Sequence, residues 1–245
     1  MFSNYQTIFS QRGSAYDRAM QRYPNARQHE FAQAIESAEL VAGMVVADVP
    51  AGGGYLSRYL PSGCRWIGHE PCASFTNHGA MTGKSTSLLP LPWLDAVADV
   101  AISLAGVHHL SDKRPLFSEL HRVIKPGGRL IVSDVAAGSA VAHFLDDYVG
   151  AHNSTGHDGV FLDDHTFQEL RETGWTVLYS YTPYFNWEFS TRFEMASFCH
   201  ELFSLSTSTI AETQTAIETM LGVSDKDDNN VGMNWSLLTV VAERS

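Results

Sequence analysis

Residues 45–55 run Val45-Val46-Ala47-Asp48-Val49-Pro50-Ala51-Gly52-Gly53-Gly54-Tyr55. A short Val-rich run that closes on an acid and passes into clustered glycines is the pattern of a buried parallel strand turning into a helix N-terminus. Glycines suit that turn because a Cβ would collide with a closely held ligand or forbid the backbone angles required. The helix-like Tyr55-Leu56-Ser57-Arg58-Tyr59-Leu60 follows. Alone, such a loop could serve any dinucleotide, so its meaning depends on the rest of the chain.

Strands and helices do alternate after it. Pro61-Ser62-Gly63 stops the short helix, and 65–70 reads as a second strand. Residues 99–104 form a third, and 115–124 an amphipathic helix with Leu116, Leu120 and Val123 on one side. Lys125-Pro126-Gly127-Gly128 ends it, and 129–135 is the next strand. This succession predicts βαβ units in a doubly wound α/β fold with a mostly parallel sheet. Upstream, two helices are expected within 5–42, one with Tyr5, Phe9, Tyr16 and Met20 on its apolar face, the other with Phe31, Ile35, Ala38 and Val41. Pro24-Asn25 marks their joint. Downstream, a helix capped by Asp163-Asp164 runs to Arg171, and 175–184 reads as an aromatic, β-branched strand. Helices are then expected at 191–203 and 210–221, a loop at 224–230 and a last strand at 235–243. The two late helices read as an insertion before the last strand, covering a site.

Composition limits the partners. With 245 residues and 44% hydrophobic content the chain can bury a full core as one domain. No apolar run approaches the ~20 residues of a membrane span, and the start lacks the basic and apolar regions of a secretory signal. Three cysteines, Cys64, Cys72 and Cys199, argue against a disulfide framework. A reduced, cytoplasmic protein is expected, as a monomer or homodimer. A net charge of −11 disfavours nucleic acid as partner, so the expected substrate is a small molecule.

The segment 45–55 resembles the first motif of class I S-adenosylmethionine (SAM) dependent methyltransferases, acid-x-Gly-x-Gly-x-Gly. Asp48 stands as the acid, Gly52 and Gly54 as the second and third glycines, and Pro50 replaces the first. Residues 88–92, 99–110 and Lys125-Pro126-Gly127-Gly128 extend the likeness to the small-molecule branch that includes ubiquinone and menaquinone C-methyltransferases. The resemblance spans roughly 5–183 and resumes in the last strand. It implies a seven-stranded Rossmann-like sheet in a single domain: an N-terminal helical cover (1–42), a SAM-binding core (43–184), a helical cap insertion (185–232) and the last strand (233–245). It implies SAM as cofactor and S-adenosylhomocysteine as product.

It also implies roles for residues. Asp48 would reach the amine of SAM, unless it serves as a turn or cap acid. Pro50 and the amides of Ala51 to Gly54, Gly52 included, would face the methionine portion. Glu70, about 20 residues past the glycines, would hold the ribose hydroxyls, with Pro71 turning the chain away. Where the family has an acid for the adenine amino group stands Ser85, with Thr86 and Ser87 beside it. Ser103 and Leu104 would present a strand-end carbonyl. Arg12, Tyr16 and Arg27 come from helices that fold over the cofactor in this family, and Arg27 is suited to the methionine carboxylate.

His108 either borders the cofactor or acts as a general base, with His109 packing behind it. Asn153 and His157 are candidates for the substrate side. His143, His152, His157, Asp158 and His165 match no compact zinc spacing, and no metal is expected. Among Tyr179, Tyr181, Tyr184, Phe185, Trp187 and Phe189, most are expected to pack and one or two to face the sulfonium. The expected reaction is in-line transfer of the SAM methyl group to an N, O or C nucleophile of a small metabolite. A SAM-consuming enzyme that transfers no methyl group, for instance by cyclising the aminobutyryl chain, is the alternative. A non-catalytic SAM-binding regulator is a third reading.

Overall fold

Every residue of β1 (Val45–Asp48) is buried, as the middle strand of a sheet covered on both faces must be. The computed structural model describes residues 3–75, 87–226 and 230–245, so Ser85 and Thr86 lie outside the described residues. β1 pairs in parallel with β2 (Arg65–Gly68) and β3 (Ala98–Leu104), and β4 (Ile124–Asp134) continues parallel to β3. The chain then leaves the sheet and returns as β5 (Trp175–Tyr181). Much later β9 (Leu238–Arg244) slots antiparallel between β4 and β5. The order is β2-β1-β3-β4-β9-β5. This is the doubly wound, mostly parallel α/β sheet expected, with six strands among the described residues rather than seven.

Side-chain alternation divides the core. Val46, Val100, Ile102, Ile131 and Val241 face one apolar cluster, with α2 (Gln28–Ala38) packed into it. Val45, Ala47, Ala101, Leu130, Val132 and Val240 face the other, filled by Leu116, Phe117, Leu120 and Val123 of α3 (Arg114–Val123). The helix α1 (Ser3–Arg22) lies across the carboxyl ends of the strands. Its Tyr5 hydroxyl donates to Glu70 at 2.7 Å. Phe9 accepts from Ser74 Oγ through its carbonyl at 2.5 Å. After β4 a helix, α4, starts with α geometry at Ala140–His143, widens to π geometry over Phe144–Val149 and closes at Gly150–His152. α5 (Asp164–Glu172) has Asp163 as its N-cap in a reciprocal capping box with Thr166. That bond pair satisfies amides a helix start leaves open.

The cap differs from the helical insertion expected at 185–232. Besides α6 (Arg192–Leu202) and α7 (Ile210–Met220) it carries its own antiparallel sheet. β6 (Tyr184–Phe189), β7 (Val223–Asp225) and β8 (Val231–Ser236) lie in the order β6-β8-β7. The aromatic run read as one strand over 175–184 breaks at Pro183, which has no N–H to give a ladder. The last expected strand, 235–243, is likewise two. Trp235 and Ser236 pair with Phe185 and Tyr184, whereas 238–244 belongs to the main sheet, with fully buried Leu237 between. Period-2 patterning cannot show a strand changing sheets. Cys64, Cys72 and Cys199 are free thiols, and no described helix is long and apolar enough to cross a membrane.

The Lys125–Gly128 segment is the start of β4 itself, not a helix end followed by a separate strand. Gly127 has φ +75° with open space around it, whereas a Cβ on Gly128 would meet the Asp99 carbonyl oxygen and Ile124 Cγ2 at 2.5 Å. The adjacent glycines are needed for different reasons. Gly127→Ala should cost about 1 kcal/mol, the expense of a left-handed residue. Gly128→Ala should cost about 3 kcal/mol, the upper end for over-packing against a backbone that cannot yield. Urea midpoints of the two variants test this, and equal effects would overturn the steric account.

Candidate active site

β1 delivers Asp48 to the carboxyl edge of the sheet, where the carboxylate is buried and accepts one bond, from Trp66 Nε1 at 3.1 Å. Burial raises its pKa to about 7, with the Trp66 bond opposing that shift. In the following turn Gly52 and Gly54 adopt φ +52° and +74°, angles that only glycine takes without strain. The amides of Ala51, Gly52 and Gly54 were expected to face a ligand, but the turn consumes them. They donate to the His69 carbonyl (2.9 Å), Glu70 Oε2 (2.9 Å) and the Ala51 carbonyl (2.8 Å). What the turn offers is room. Pro50 lies so close to Gly106 that a Cβ there would sit 2.6 Å from Pro50 Cγ.

Glu70 stitches three elements together at the exit of β2. Its Oε2 accepts from Tyr5 and Gly52, and its Oε1 accepts from the Cys72 amide at 2.8 Å across Pro71. Burial raises its pKa and these donors pull it back.

Two clefts open beside this turn. The first, of about 500 Å³, is walled by Asp48, Pro50, Ala51 and Gly52, by Leu104 to Gly106 at the end of β3, and by Tyr5, Phe9, Tyr16, Arg27, Tyr55 and Phe75. The second, of about 520 Å³, shares Phe9, Tyr16, Arg27 and Ala105 with it. Its other walls are mostly apolar: Val135, Leu145, Trp187, Leu202, Phe203, Trp235 and Leu237. Arg12, His108, His109 and His157 make one polar end.

Arg27 stands between the clefts. It donates through Nε to Glu30 at 3.0 Å and through its terminal nitrogens to Glu30 and to the Tyr16 hydroxyl. Its guanidinium lies 4.9 Å from the Trp187 ring centre, and Trp187 Nε1 donates to Glu30 at 2.7 Å. Burial works against the charge on Arg27, but the Glu30 carboxylate outweighs it and the pKa is raised. The side chain expected to hold a methionine carboxylate thus already carries a full internal ion pair.

The other expected residues are placed as follows. Leu104 borders the first cleft, and Ser103 is buried behind it in β3. Ser87 turns its hydroxyl onto the Leu89 carbonyl at 2.7 Å, and its own carbonyl lies 3.1 Å from His69 Nε2; it borders neither cleft. His108 lies in the second cleft, not against the first as a cofactor contact would require. Its Nδ1 and backbone amide both bond Asp134, at 2.6 and 3.1 Å. Burial of Asp134 opposes ionisation, but His108 and the donors around it outweigh that and hold the carboxyl below its usual range. Asn153 borders neither cleft. It clamps the loop after α4, donating to the Phe203 and Ser204 carbonyls and accepting from Thr155. His157 does reach the second cleft, its Nδ1 bonded to Asp146 of the π segment at 2.8 Å. Burial and the neighbouring His108 lower its pKa. His109 is held well below the usual imidazole range by burial, then by His108, His157 and Arg12.

Asp134, Asp146 and the meeting of His109 with His157 were not anticipated. An acid closing β4, as acids close or follow β1 and β2, was the available signal for Asp134. Gly150 lets the π-containing helix approach the His157 backbone, 3.1 Å from where its Cβ would stand, and no spacing rule shows that.

A family pattern described as "Methyltransferase domain" matches residues 47–132. A methyltransferase of uncharacterised specificity from Mycolicibacterium vanbaalenii is 33% identical over 103 residues, 39% of this chain and 40% of that protein. A tRNA (carboxymethyluridine(34)-5-O)-methyltransferase of Arabidopsis thaliana is 32% identical over 104 residues, 40% of this chain and 26% of that protein. The chain thus spans less than half the length of these relatives. Among solved structures, the methyltransferase complexed with the Haloferax volcanii Trm112 activator superimposes with a TM-score of 0.65 at 16% identity, covering 98% of both chains. The match at residues 47–132 is thus to a methyltransferase domain, and the likeness in fold extends over nearly the whole chain. The residues would fit SAM: a buried carboxylate with unused acceptor capacity, a glycine turn without Cβ atoms, and aromatic faces around the first cleft.

Glu30→Gln should cost about 3–5 kcal/mol by leaving Arg27 buried and unpaired, which lowers Tm by about 10 °C for a chain of this length. The double variant Arg27→Met/Glu30→Gln should be more stable than Glu30→Gln alone. Calorimetry that ranks them the other way would show the pair is not the determinant.

Proposed function

We propose that the protein transfers the methyl group of SAM to a small, largely apolar acceptor held in the second cleft. The observation that carries this is the pair of clefts sharing Phe9, Tyr16, Arg27 and Ala105. One sits behind the glycine turn. The other is roofed by the cap. SAM, when bound, supplies a methyl carbon already activated by its sulfonium for displacement by a nucleophile. The protein's part is then position and water exclusion.

In this reading Asp48 holds the ammonium group of the methionine portion and Glu70 the ribose hydroxyls. Gly52 gives clearance, Leu104 borders the methionine portion, and the rings of Tyr16, Phe75 or Tyr55 offer π faces to the sulfonium. Trp187, Trp235, Phe203 and Leu145 enclose the acceptor and keep bulk water from the shared wall. The polar end made by Arg12 and the histidines orients it. The enclosed acceptor cleft and the net charge of −11 favour a small metabolite over a nucleic acid. Incubation with SAM and a metabolite extract, followed by mass spectrometry, tests the reading. S-adenosylhomocysteine with a methylated product is expected, and methylthioadenosine instead would overturn it. Glu70→Ala should weaken SAM binding by about 1–3 kcal/mol, the usual cost of losing a charged hydrogen-bond partner. Unchanged affinity in titration calorimetry would remove Glu70 from the site.

The Asp48 carboxyl also sets a pH dependence. Its raised pKa means the folded, unliganded protein holds a proton there up to about pH 7. That protonated form favours folding at low pH, and the benefit is lost as pH rises through about 7. Binding an ammonium group demands the ionised form, so SAM binding should release a proton below that pH. Affinity should fall about tenfold per pH unit below about pH 7 and level off above about pH 8. Asp48→Asn should bind weakly and without this slope. A flat profile in the unsubstituted protein would refute the contact.

A further inference from the structure

His108 and His109 lie on the short turn Val107–His109 that follows β3, and His157 comes from the loop after α4. At the polar end of the second cleft a ring nitrogen from each lies within 4.8 Å of those of the other two. The His157 ring centre is 5.5 Å from that of His108 and 5.6 Å from that of His109, and the adjacent pair is 4.0 Å apart. Imidazoles sharing one tetrahedral ion at metal–nitrogen distances near 2 Å have ring centres about 5 Å apart.

Two of the three are oriented by carboxylates. Asp134 takes Nδ1 of His108 at 2.6 Å, and Asp146 takes Nδ1 of His157 at 2.8 Å. A carboxylate accepts, so Nδ1 carries the hydrogen in each ring, and the neutral ring is left with an Nε2 lone pair. Backing each metal-binding imidazole with a carboxylate is how proteins fix the tautomer and strengthen the ligand. Arg12, Arg27 and Tyr16 apart, the rest of the cleft is walled by aromatic and aliphatic side chains, and the gathered lone pairs offer a ligand set to a cation.

A second observation comes from α1. Arg12 is 6% exposed, lines the same cleft, and its Nε and Nη1 have no hydrogen-bond partner among the described residues. A buried guanidinium with idle donors calls for an anion.

We propose that His108, His109 and His157 bind a divalent transition-metal ion, and that this ion and Arg12 together hold an anionic oxygen of the acceptor molecule. The inference rests on the second cleft being the acceptor's. A divalent ion and Arg12, set against Asp134 and Asp146, leave one positive charge in excess, which a single carboxylate or ionised hydroxyl neutralises. All-imidazole ligation suits zinc, iron(II), nickel or copper and disfavours magnesium and calcium. Three protein ligands leave an open position, the arrangement of zinc sites that bind substrate. In this arrangement His108 is a ligand, held by Asp134, and not a proton acceptor. The acceptor class is thus an apolar molecule bearing a carboxylate or an acidic hydroxyl near the methylated atom.

Tag-free protein, stripped with chelator, is titrated with Co²⁺ as a spectroscopic probe of the site. One equivalent should bind with intense visible bands of low-symmetry cobalt, and Zn²⁺ should displace it. His109→Ala and His157→Gln should lose at least about 100-fold in affinity, and Asp146→Asn about 10–100-fold as an orienting partner. His165→Ala, an exposed residue away from the cleft, should not change it. Benzoate added to the cobalt protein should shift the bands, with an affinity at least tenfold lower in Arg12→Met. SAM binding by calorimetry reports on folding in each variant. No saturable cobalt band in protein that still binds SAM overturns the metal site and leaves methyl transfer standing. Cobalt affinity unchanged in His157→Gln and Asp146→Asn does the same. Benzoate affinity unchanged in Arg12→Met removes the arginine from the site. Loss of SAM binding in the unsubstituted protein would strike the earlier reading instead.

Discussion

The buried pair of Arg27 and Glu30 is the contact on which the arrangement of both clefts depends. Glu30 is fully buried at the start of α2 and receives Arg27 and the Trp187 indole together. Arg27 in turn lies against Tyr16 of α1, Phe31 of α2 and Trp187 of β6. Three separate parts of the chain, the N-terminal cover, the second helix and the cap sheet, are thereby registered on one charge pair. A buried pair seldom adds much net stability over apolar residues of the same volume. Its value lies in direction: each partner punishes any packing that leaves the other alone, so the elements meet in one way.

Around that pair the two clefts differ in character. The first has one wall of main chain: a strand end, a turn whose amides are taken up by the His69 and Ala51 carbonyls and the Glu70 carboxylate, and glycines that give space rather than donors. The second is built by side chains from α1, the end of β3, the π segment and the cap. The two clefts share only Phe9, Tyr16, Arg27 and Ala105 among their described walls.

The wall of the first cleft that is local in sequence was legible as structure. Asp48 ends β1, Gly52 and Gly54 turn the chain, Glu70 lies two residues past β2, and the alternation of apolar runs set out the parallel sheet. The acceptor side was not legible in this way. Asn153 and His157 are near neighbours in sequence, yet one clamps a backbone loop and the other reaches the cleft, because a π turn and Gly150 decide which face approaches. His109 and His157 come together only through the crossing of two loops. Metal-ligand spacing rules apply to one loop or one helix face and miss such a meeting. The cap strands were missed for another reason. Pro183 and Leu237 are where strands leave one sheet for another, and the run from Trp235 to Ala242 has no glycine or proline to mark the change at Leu237.

Those two crossings have a mechanical consequence. The cap is joined to the main sheet by Thr182-Pro183 on one side and by Leu237 on the other. Each ordinary residue has two soft torsions, proline has one fixed, and Leu237 is fully buried. Close by, Gln33 bonds both Tyr181 (2.8 Å) and Thr239 (2.9 Å), locking β5 and β9 to α2 just beyond the links. The cap is therefore fixed at its root as well as along its inner face, where Trp187 bonds Glu30 and the Glu188 amide bonds the Ala26 carbonyl. The cover formed by α1 is different, joined to α2 by residues 23–27 and otherwise held by side-chain contacts such as Tyr5–Glu70, Tyr55–Asp17 and Arg18–Glu201. The α1 side of the clefts is thus fixed by a few side-chain bonds, where the cap side is fixed by main chain and a buried residue.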